Sequence, residues 1–254
     1  MFATLRSIIL GAAHALAALL PAMAAGFDAA QRSEIEKIIR EYLIANPQVL
    51  QDVMMELEKR QAAMDSQRQQ AAVRENARDL FSSSRHVVVG NPQGNVTMVE
   101  FFDYNCGYCK RAMDDMLTLL KDDPKLKIVL KEFPVLGPGS VEAAQVAVAV
   151  RMQDKNGKKY LEFHQKLLGG RGQADKARAL AVAKDIGLDM PRLEKDLANA
   201  EVKATLQENF KLAESLGLNG TPSYVIGDNV VVGAVGLDAL KEKVNTSRCG
   251  KPTC

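Results

Sequence analysis

The sequence predicts an α/β fold preceded by a helical arm and interrupted by a long helical block. Three observations predict it. Val96 to Phe102 and Leu126 to Phe133 are short, apolar and rich in β-branched residues, the mark of strands covered on both faces. A helical pattern from about Cys109 to Lys121 lies between them. From Ser140 to about Gly217 the chain is nearly all helical, and strand character returns only at Ser223.

The first residues differ from the rest. Arg6 supplies a positive start, and an apolar run follows from Ile8 to Leu20, broken mainly by Gly11 and His14. Pro21 ends it, and Ala22-Met23-Ala24 fits the small-x-small pattern of a signal peptidase site. Residues 1–25 therefore read as a secretory signal peptide. A membrane anchor is the competing reading, but the run is short of the ~20 apolar residues needed to span a bilayer.

Residues 26–84 read as a helical arm. Ile35, Ile38, Ile39, Tyr42 and Leu43 recur at helical spacing, and Asn46-Pro47 marks a helix restart. A second stripe follows at Leu50, Val53, Met54, Leu57 and Met64. Beyond it, good helix formers outnumber large apolar residues. A solvated linker helix fits this pattern. So does an oligomerisation arm whose stripe packs on copies of itself. The arm is favoured, although the stripe is short for a sustained coiled coil.

Residues 85–254 carry the α/β pattern. Val87 to Val89 begins it, and Gly90 to Asn95 is turn chemistry. His86 is expected to begin that strand. The helical block spans about 137–217. Ser223 to Ile226 and Val230 to Val235 then read as a hairpin around Gly227-Asp228-Asn229, with a last helix from near Leu237.

The whole chain of 254 residues has 33 Lys+Arg against 31 Asp+Glu, a net charge of +2. No basic stripe with interleaved aromatics is present, so nothing argues for a nucleic-acid partner. All four cysteines follow the signal segment, and an even number fits an oxidising compartment.

Cys106-Gly107-Tyr108-Cys109 follows the strand Val96–Phe102 and opens a helix. The nucleophile in thiol exchange is the thiolate. A helix N-terminus stabilises that charge with free N–H groups and the positive end of its dipole. On this reasoning Cys106 attacks substrate and Cys109 resolves the mixed disulfide. Half of a zinc site looks the same, and Cys249 and Cys254 could complete four ligands. Their place in a tail after the last helix argues against zinc, and no metal is expected.

Glu100 lies on an otherwise apolar strand six residues before Cys106. Burial there raises a carboxyl pKa and suits it to relay the proton of Cys109. A solvent-facing place on an edge strand is the alternative, and alternation alone does not decide. Gly220-Thr221-Pro222-Ser223 leads into a strand, where proline marks a fixed turn with either a cis or a trans bond.

Together these features resemble the thioredoxin superfamily, in its periplasmic DsbA-like branch. The likeness runs from about Val87 to Val244. It is carried by VTMVEFFDYN, CGYC, KEFPVLG at 131–137 and GTPSY at 220–224. It implies a thioredoxin fold with an inserted helical domain and no cofactor. It also implies that Cys106 is the nucleophile, Cys109 the resolving thiol, Glu100 the buried acid and Pro222 a cis-proline packed on the sulfurs. Substrate would meet Thr221, Gly107 and Tyr108, pairing with the Thr221 backbone by strand addition. The implied partners are exported proteins with thiols or disulfides and a membrane redox partner that resets the enzyme. From Phe27 to about Gln70 the chain is similar to the arm of ScsC-like proteins, through IEKIIREYL and NPQVL, which implies a homo-oligomer through the arm.

Gly-Tyr between the cysteines resembles the disulfide isomerases rather than the Pro-His usual in DsbA enzymes, and Thr221 departs from the usual DsbA residue. A less oxidising enzyme with isomerase activity is expected, within the superfamily's range of about −270 to about −120 mV. A non-catalytic chaperone or surface-binding protein of the same fold is the alternative. Cys249 and Cys254 are expected to close the tail as a structural disulfide. His164 is read as structural and remote from the chemistry. Met54, Met55, Met64, Met113 and Met116 are read as helical-face and core residues.

Overall fold

In the computed structural model, which describes residues 26–154 and 156–254, the chain divides into two units, one up to residue 58 and one from residue 59. The signal-peptide reading falls on residues 1–25, outside the described residues.

The first unit holds α1 (Ala29–Ala45) and the start of α2 (Gln48–Glu75). Asp28 caps α1 in a reciprocal box: its carboxylate accepts from the Gln31 N–H at 2.8 Å, and the Gln31 side chain accepts from the Asp28 N–H at 3.0 Å. Asn46 ends α1, and α2 begins with the Asn46 carbonyl accepting from Val49 and the Pro47 carbonyl from Leu50 and Gln51. No α1 residue is buried. Ile39, Leu43, Ile44, Pro47 and Leu50 line an apolar groove of about 630 Å³. Of the methionines read as helical-face and core residues, Met54, Met55 and Met64 lie on exposed helix faces, whereas Met116 is buried and Met113 partly so.

In the second unit, α3 (Ala77–Phe81) follows α2. Residues 59–84, which periodicity groups with the arm, lie in this unit. Val73 and Leu80 are buried there among Val99, Phe101, Val129, Leu212 and Val225. The remaining elements run β1 (Val87–Gly90), β2 (Val96–Phe102), α4 (Gly107–Asp122) and β3 (Leu126–Glu132). Five helices follow: α5 (Pro138–Gln153), α6 (Lys158–Gly169), α7 (Lys176–Asp185), α8 (Met190–Leu197) and α9 (Ala200–Ser215). The chain then closes with β4 (Ser223–Ile226), β5 (Asn229–Val232) and α10 (Leu237–Cys249).

The five strands form one sheet in the order β1-β3-β2-β4-β5. Only β2 and β3 are parallel, and α4 crosses between them. β1 joins β3, β4 joins β2 and β5 joins β4, all antiparallel. His86 directly precedes β1 rather than opening it. The hairpin turn is shorter than its composition implies. Ile226 pairs with Asn229, leaving Gly227-Asp228 as the loop, and Gly227 takes φ +59° there. Past Val232 the chain turns at Gly233, φ +90°, whose N–H still donates to the Pro222 carbonyl at 2.8 Å.

Alternation divides β2 between two cores. Val99 and Phe101 enter the layer with Val129, Val225 and α9's Leu212. Met98 and Phe102 enter the other, with Cys106, Cys109, Met116, Leu119 and Tyr224. Glu100 lies between Met98 and Phe102 in the same parity, so it points to the α4 side. It is 1% exposed. Burial of each large apolar side chain stabilises by about 1.5–3 kcal/mol. An unpaired carboxylate in the same layer costs several kcal/mol, so Glu100 is held as the neutral acid.

Candidate active site

The active-site loop is made by the end of β2 and the first turn of α4. Cys106 is the N-cap of α4, with extended backbone at φ −84° and ψ 112°, and its sulfur accepts from the Cys109 N–H at 3.3 Å. This is the position where a side-chain acceptor satisfies an orphan N–H of the first turn. The helix consequently starts at Gly107, two residues before the start expected from the apolar pattern. Along α4, Cys109, Ala112, Met116 and Leu119 fall on one buried face. Cys109 is fully buried, whereas Cys106 keeps 6% exposure. Gly107 and Tyr108 are exposed, and the Arg111 guanidinium lies 4.5 Å from the centre of the Tyr108 ring.

Both sulfurs are free thiols. The Cys106 thiol is held down to about 5, chiefly by a hydrogen bond from the Cys109 thiol, with burial working against it. The Thr221 side chain and the Cys109 and Tyr108 backbone N–H groups add to the lowering. The same shared proton, together with burial, pushes Cys109 far above the ordinary thiol range. The pair thus divides into a nucleophile ionised at neutral pH, which keeps a small exposed edge, and a fully buried thiol that keeps its proton.

The Thr221–Pro222 peptide bond is cis, and Pro222 is buried. The protonated Cys106 thiol donates to the Thr221 carbonyl oxygen at 3.2 Å. Beneath the pair, Glu100 on β2 is the register partner of Tyr224 on β4. Burial pushes the Glu100 carboxyl up to about 8, and the charges of Asp115 and Cys106 act in the same direction. Burial likewise raises the Tyr224 hydroxyl far above its usual range. One Glu100 oxygen and the Tyr224 hydroxyl have no hydrogen-bond partner.

The structure therefore brings together Cys106, Cys109, Glu100, Thr221 and Pro222. Cys249 and Cys254 stand apart at the end of α10, joined to each other by a disulfide with Cα atoms 6.3 Å apart. That bond takes up the two thiolates that a four-cysteine zinc site would need. His164 is buried against Phe102 and Tyr104, so it packs behind the active-site loop rather than far from it. Burial drops it to about 3, which keeps it neutral.

Sequence reasoning missed Asp103, Asn105, Ser140, Asp115 and Tyr224. Of these, Asp103 carried a usable signal: a carboxylate directly after a buried strand and ahead of the cysteines has few ways to be satisfied except by local N–H groups.

Residues 97–245 match the DSBA-like thioredoxin domain family, and residues 31–63 match the copper resistance protein ScsC N-terminal domain. A thioredoxin-like oxidoreductase from Silicibacter pomeroyi is similar at 43% identity and TM-score 0.64, over 67% of this chain and 96% of its own. A linker-deletion mutant of Proteus mirabilis ScsC is similar at 28% identity and TM-score 0.65, over 88% of this chain and 97% of its own. Disulfide bond formation protein D of Bacillus subtilis shares 26% identity over 176 residues, 65% of this chain and 78% of that protein. The Na(+)/H(+) antiporter NhaA 1 of Salinispora arenicola shares 27% identity over 168 residues, 65% of this chain, and the match spans 25% of the antiporter's length. Among the described residues no helix is long and apolar enough to cross a membrane. A two-cysteine helix start beside a cis-proline, on a sheet with a helical insertion, agrees with the family match: this chain belongs to the DsbA-like thioredoxin-domain family of thiol–disulfide oxidoreductases.

Proposed function

We propose that the protein exchanges disulfides with exported proteins in the periplasm through Cys106 and Cys109. The observation that carries this reading is the Cys106 sulfur, capping α4 and held near 5 while its partner thiol is buried. In the oxidising direction a substrate thiolate attacks the Cys106 sulfur of the Cys106–Cys109 disulfide. That bond breaks, a mixed disulfide forms, and Cys109 leaves as a thiolate that takes up a proton. Glu100, protonated at neutral pH and on the same side of β2 as Met98 and Phe102, would supply it. A second substrate thiolate then attacks the substrate sulfur of the mixed disulfide and expels Cys106. Two substrate thiols become one disulfide and the enzyme pair is reduced. Cys106 leaves easily because its thiolate is stabilised.

The Thr221 backbone lies beside the reacting sulfur, where an extended substrate segment can add as a strand. The match of residues 31–63 to an ScsC N-terminal domain, with exposed Ile38, Ile39, Tyr42 and Ile44, supports a homo-oligomer through the arm. Active sites facing a shared space would then shuffle wrong disulfides, an isomerase role for which the Gly-Tyr dipeptide also speaks.

Scrambled and reduced ribonuclease test the reading. Reduced protein should reactivate the scrambled enzyme, Cys106→Ser should not, and a form beginning at Lys59 should lose isomerase activity before it loses exchange with small disulfides. Wild-type protein inert toward both ribonuclease forms would remove the exchange reading. Oxidation of reduced ribonuclease alone would leave an oxidase.

A further inference from the structure

Asp103 is 1% exposed, and its carboxylate is satisfied by hydrogen bonds alone. One oxygen accepts from the Asn105 N–H at 2.7 Å and the Ser140 hydroxyl at 2.7 Å. The other accepts from the Val135 N–H at 2.8 Å and the Leu136 N–H at 2.9 Å. These four donors come from the active-site loop, from the loop after β3 and from the first turn of α5. Asn105 extends the junction. Its amide donates to the Ser140 hydroxyl and the Ala174 carbonyl, both at 2.9 Å, and its side-chain oxygen accepts from the Ala174 N–H at 2.7 Å.

The backbone of the same residue holds Cys106. The Asp103 carbonyl accepts from the Cys106 N–H at 3.1 Å. The Asp103 backbone also works against the rise of the Cys109 thiol. Hydrogen bonds to a buried carboxylate are short, directional and costly to leave unmade. Its side chain therefore fixes where its backbone lies, and its backbone fixes the Cys106 N–H at the cap of α4.

We propose that Asp103, with Asn105 and Ser140, is a positioning cluster that clamps the cysteine loop to the inserted helices and so sets the redox poise of the Cys106–Cys109 pair. The proposal deepens the exchange reading and rests on it. The logic is that the Cys106 thiolate needs the Cys109 N–H and thiol held toward it, a demand the oxidised pair does not make. A loosened clamp weakens those bonds in the reduced form only. Glu100 on β2 and Tyr224 on β4 feel the charge of Cys106, Asp115 on α4 acts on both of them, and all three remain when Asp103 is changed.

Asp103→Asn tests this, because an amide cannot accept all four bonds. The milder Ser140→Ala removes one donor and keeps the carboxylate. The readouts are the pH midpoint of Cys106 alkylation by iodoacetamide and the equilibrium with glutathione. For Asp103→Asn the alkylation midpoint should rise by ~1 unit, about tenfold less thiolate at a pH below it. The glutathione equilibrium should move ~10-fold toward the disulfide form, about 30 mV for a two-electron couple. Ser140→Ala should shift both readouts the same way by less. If both folded variants keep the wild-type midpoint and equilibrium, whatever their thermal stability, the cluster is merely structural and the proposal fails. Should Asp103→Asn not fold, Ser140→Ala decides alone. Wild-type protein that does not equilibrate with glutathione at all would instead bring down the exchange reading itself.

Discussion

The Cys106 sulfur and the Thr221 carbonyl oxygen lie 3.2 Å apart, although 115 residues separate them along the chain. β4 makes this contact by pairing directly with β2, so the residues leading into β4 arrive at the end of β2 where α4 begins. The sulfur is thereby flanked by a helix start on one side and the Thr221 backbone on the other. A nucleophile in that position is held at the edge where substrate backbone would run.

The division of labour between the cysteines has a direct consequence. With Cys109→Ala, attack on a substrate disulfide should still occur but resolution should be almost wholly lost. A covalent complex through Cys106 should therefore accumulate in near-stoichiometric amount under non-reducing mass spectrometry. Cys106→Ser should form no such complex. Trapping through residue 109 instead would reverse the assigned roles.

The depressed Cys106 thiol makes the stability of the reduced protein depend on pH. The unfolded chain holds this proton up to about 8.5, whereas the folded chain releases it near 5. Unfolding thus takes up a proton between these values, and the folded reduced form gains stability as pH rises through that window. The melting temperature of the reduced protein relative to the oxidised form should be higher at pH 7 than at pH 4, falling as pH drops through about 5. Melting curves of both redox forms from pH 4 to 8 would show it; a gap that does not change with pH would contradict the ionised cap.

Glu100 has the opposite sign. Its folded value is raised to about 8, chiefly by burial, so its contribution is full below about 4 and is lost as pH rises through 8. Glu100→Gln removes that loss. The stability difference between variant and wild type should move in the variant's favour by on the order of 3 kcal/mol between pH 4 and pH 8. Urea denaturation at the two pH values measures it. The same variant should slow the release of product from Cys109-linked steps, since the buried proton donor is gone.

Away from the cysteines, the Tyr160 hydroxyl donates to the Glu132 carboxylate, with both residues buried and Glu132 raised by burial. Tyr160→Phe leaves that oxygen unpartnered at almost unchanged volume. The expected cost is about 1–3 kcal/mol in chemical denaturation at pH 7, with Cys106 alkylation unaffected. A neutral result would mean that Glu132 finds another donor.

Much of this protein was legible residue by residue. Val96 to Phe102 read as a strand, and the two-residue gap between cysteines directly after it read as a helix start, because strand composition and helix capping act over a few neighbouring residues. Gly227-Asp228 announced its hairpin for the same reason. Other features depended on partners far away in sequence. Glu100 was undecided between core and edge until β3 and β4 were seen on either side of β2, and Met54, Met55 and Met64, apolar by type, proved exposed. Asp103 drew no notice at all, since the value of a carboxylate depends on which N–H groups the fold delivers to it. Local propensity is set by covalent neighbours and survives in the sequence; burial, pKa and the Cys106–Thr221 contact are set by what the folded chain packs against them, and only the tertiary structure decided those.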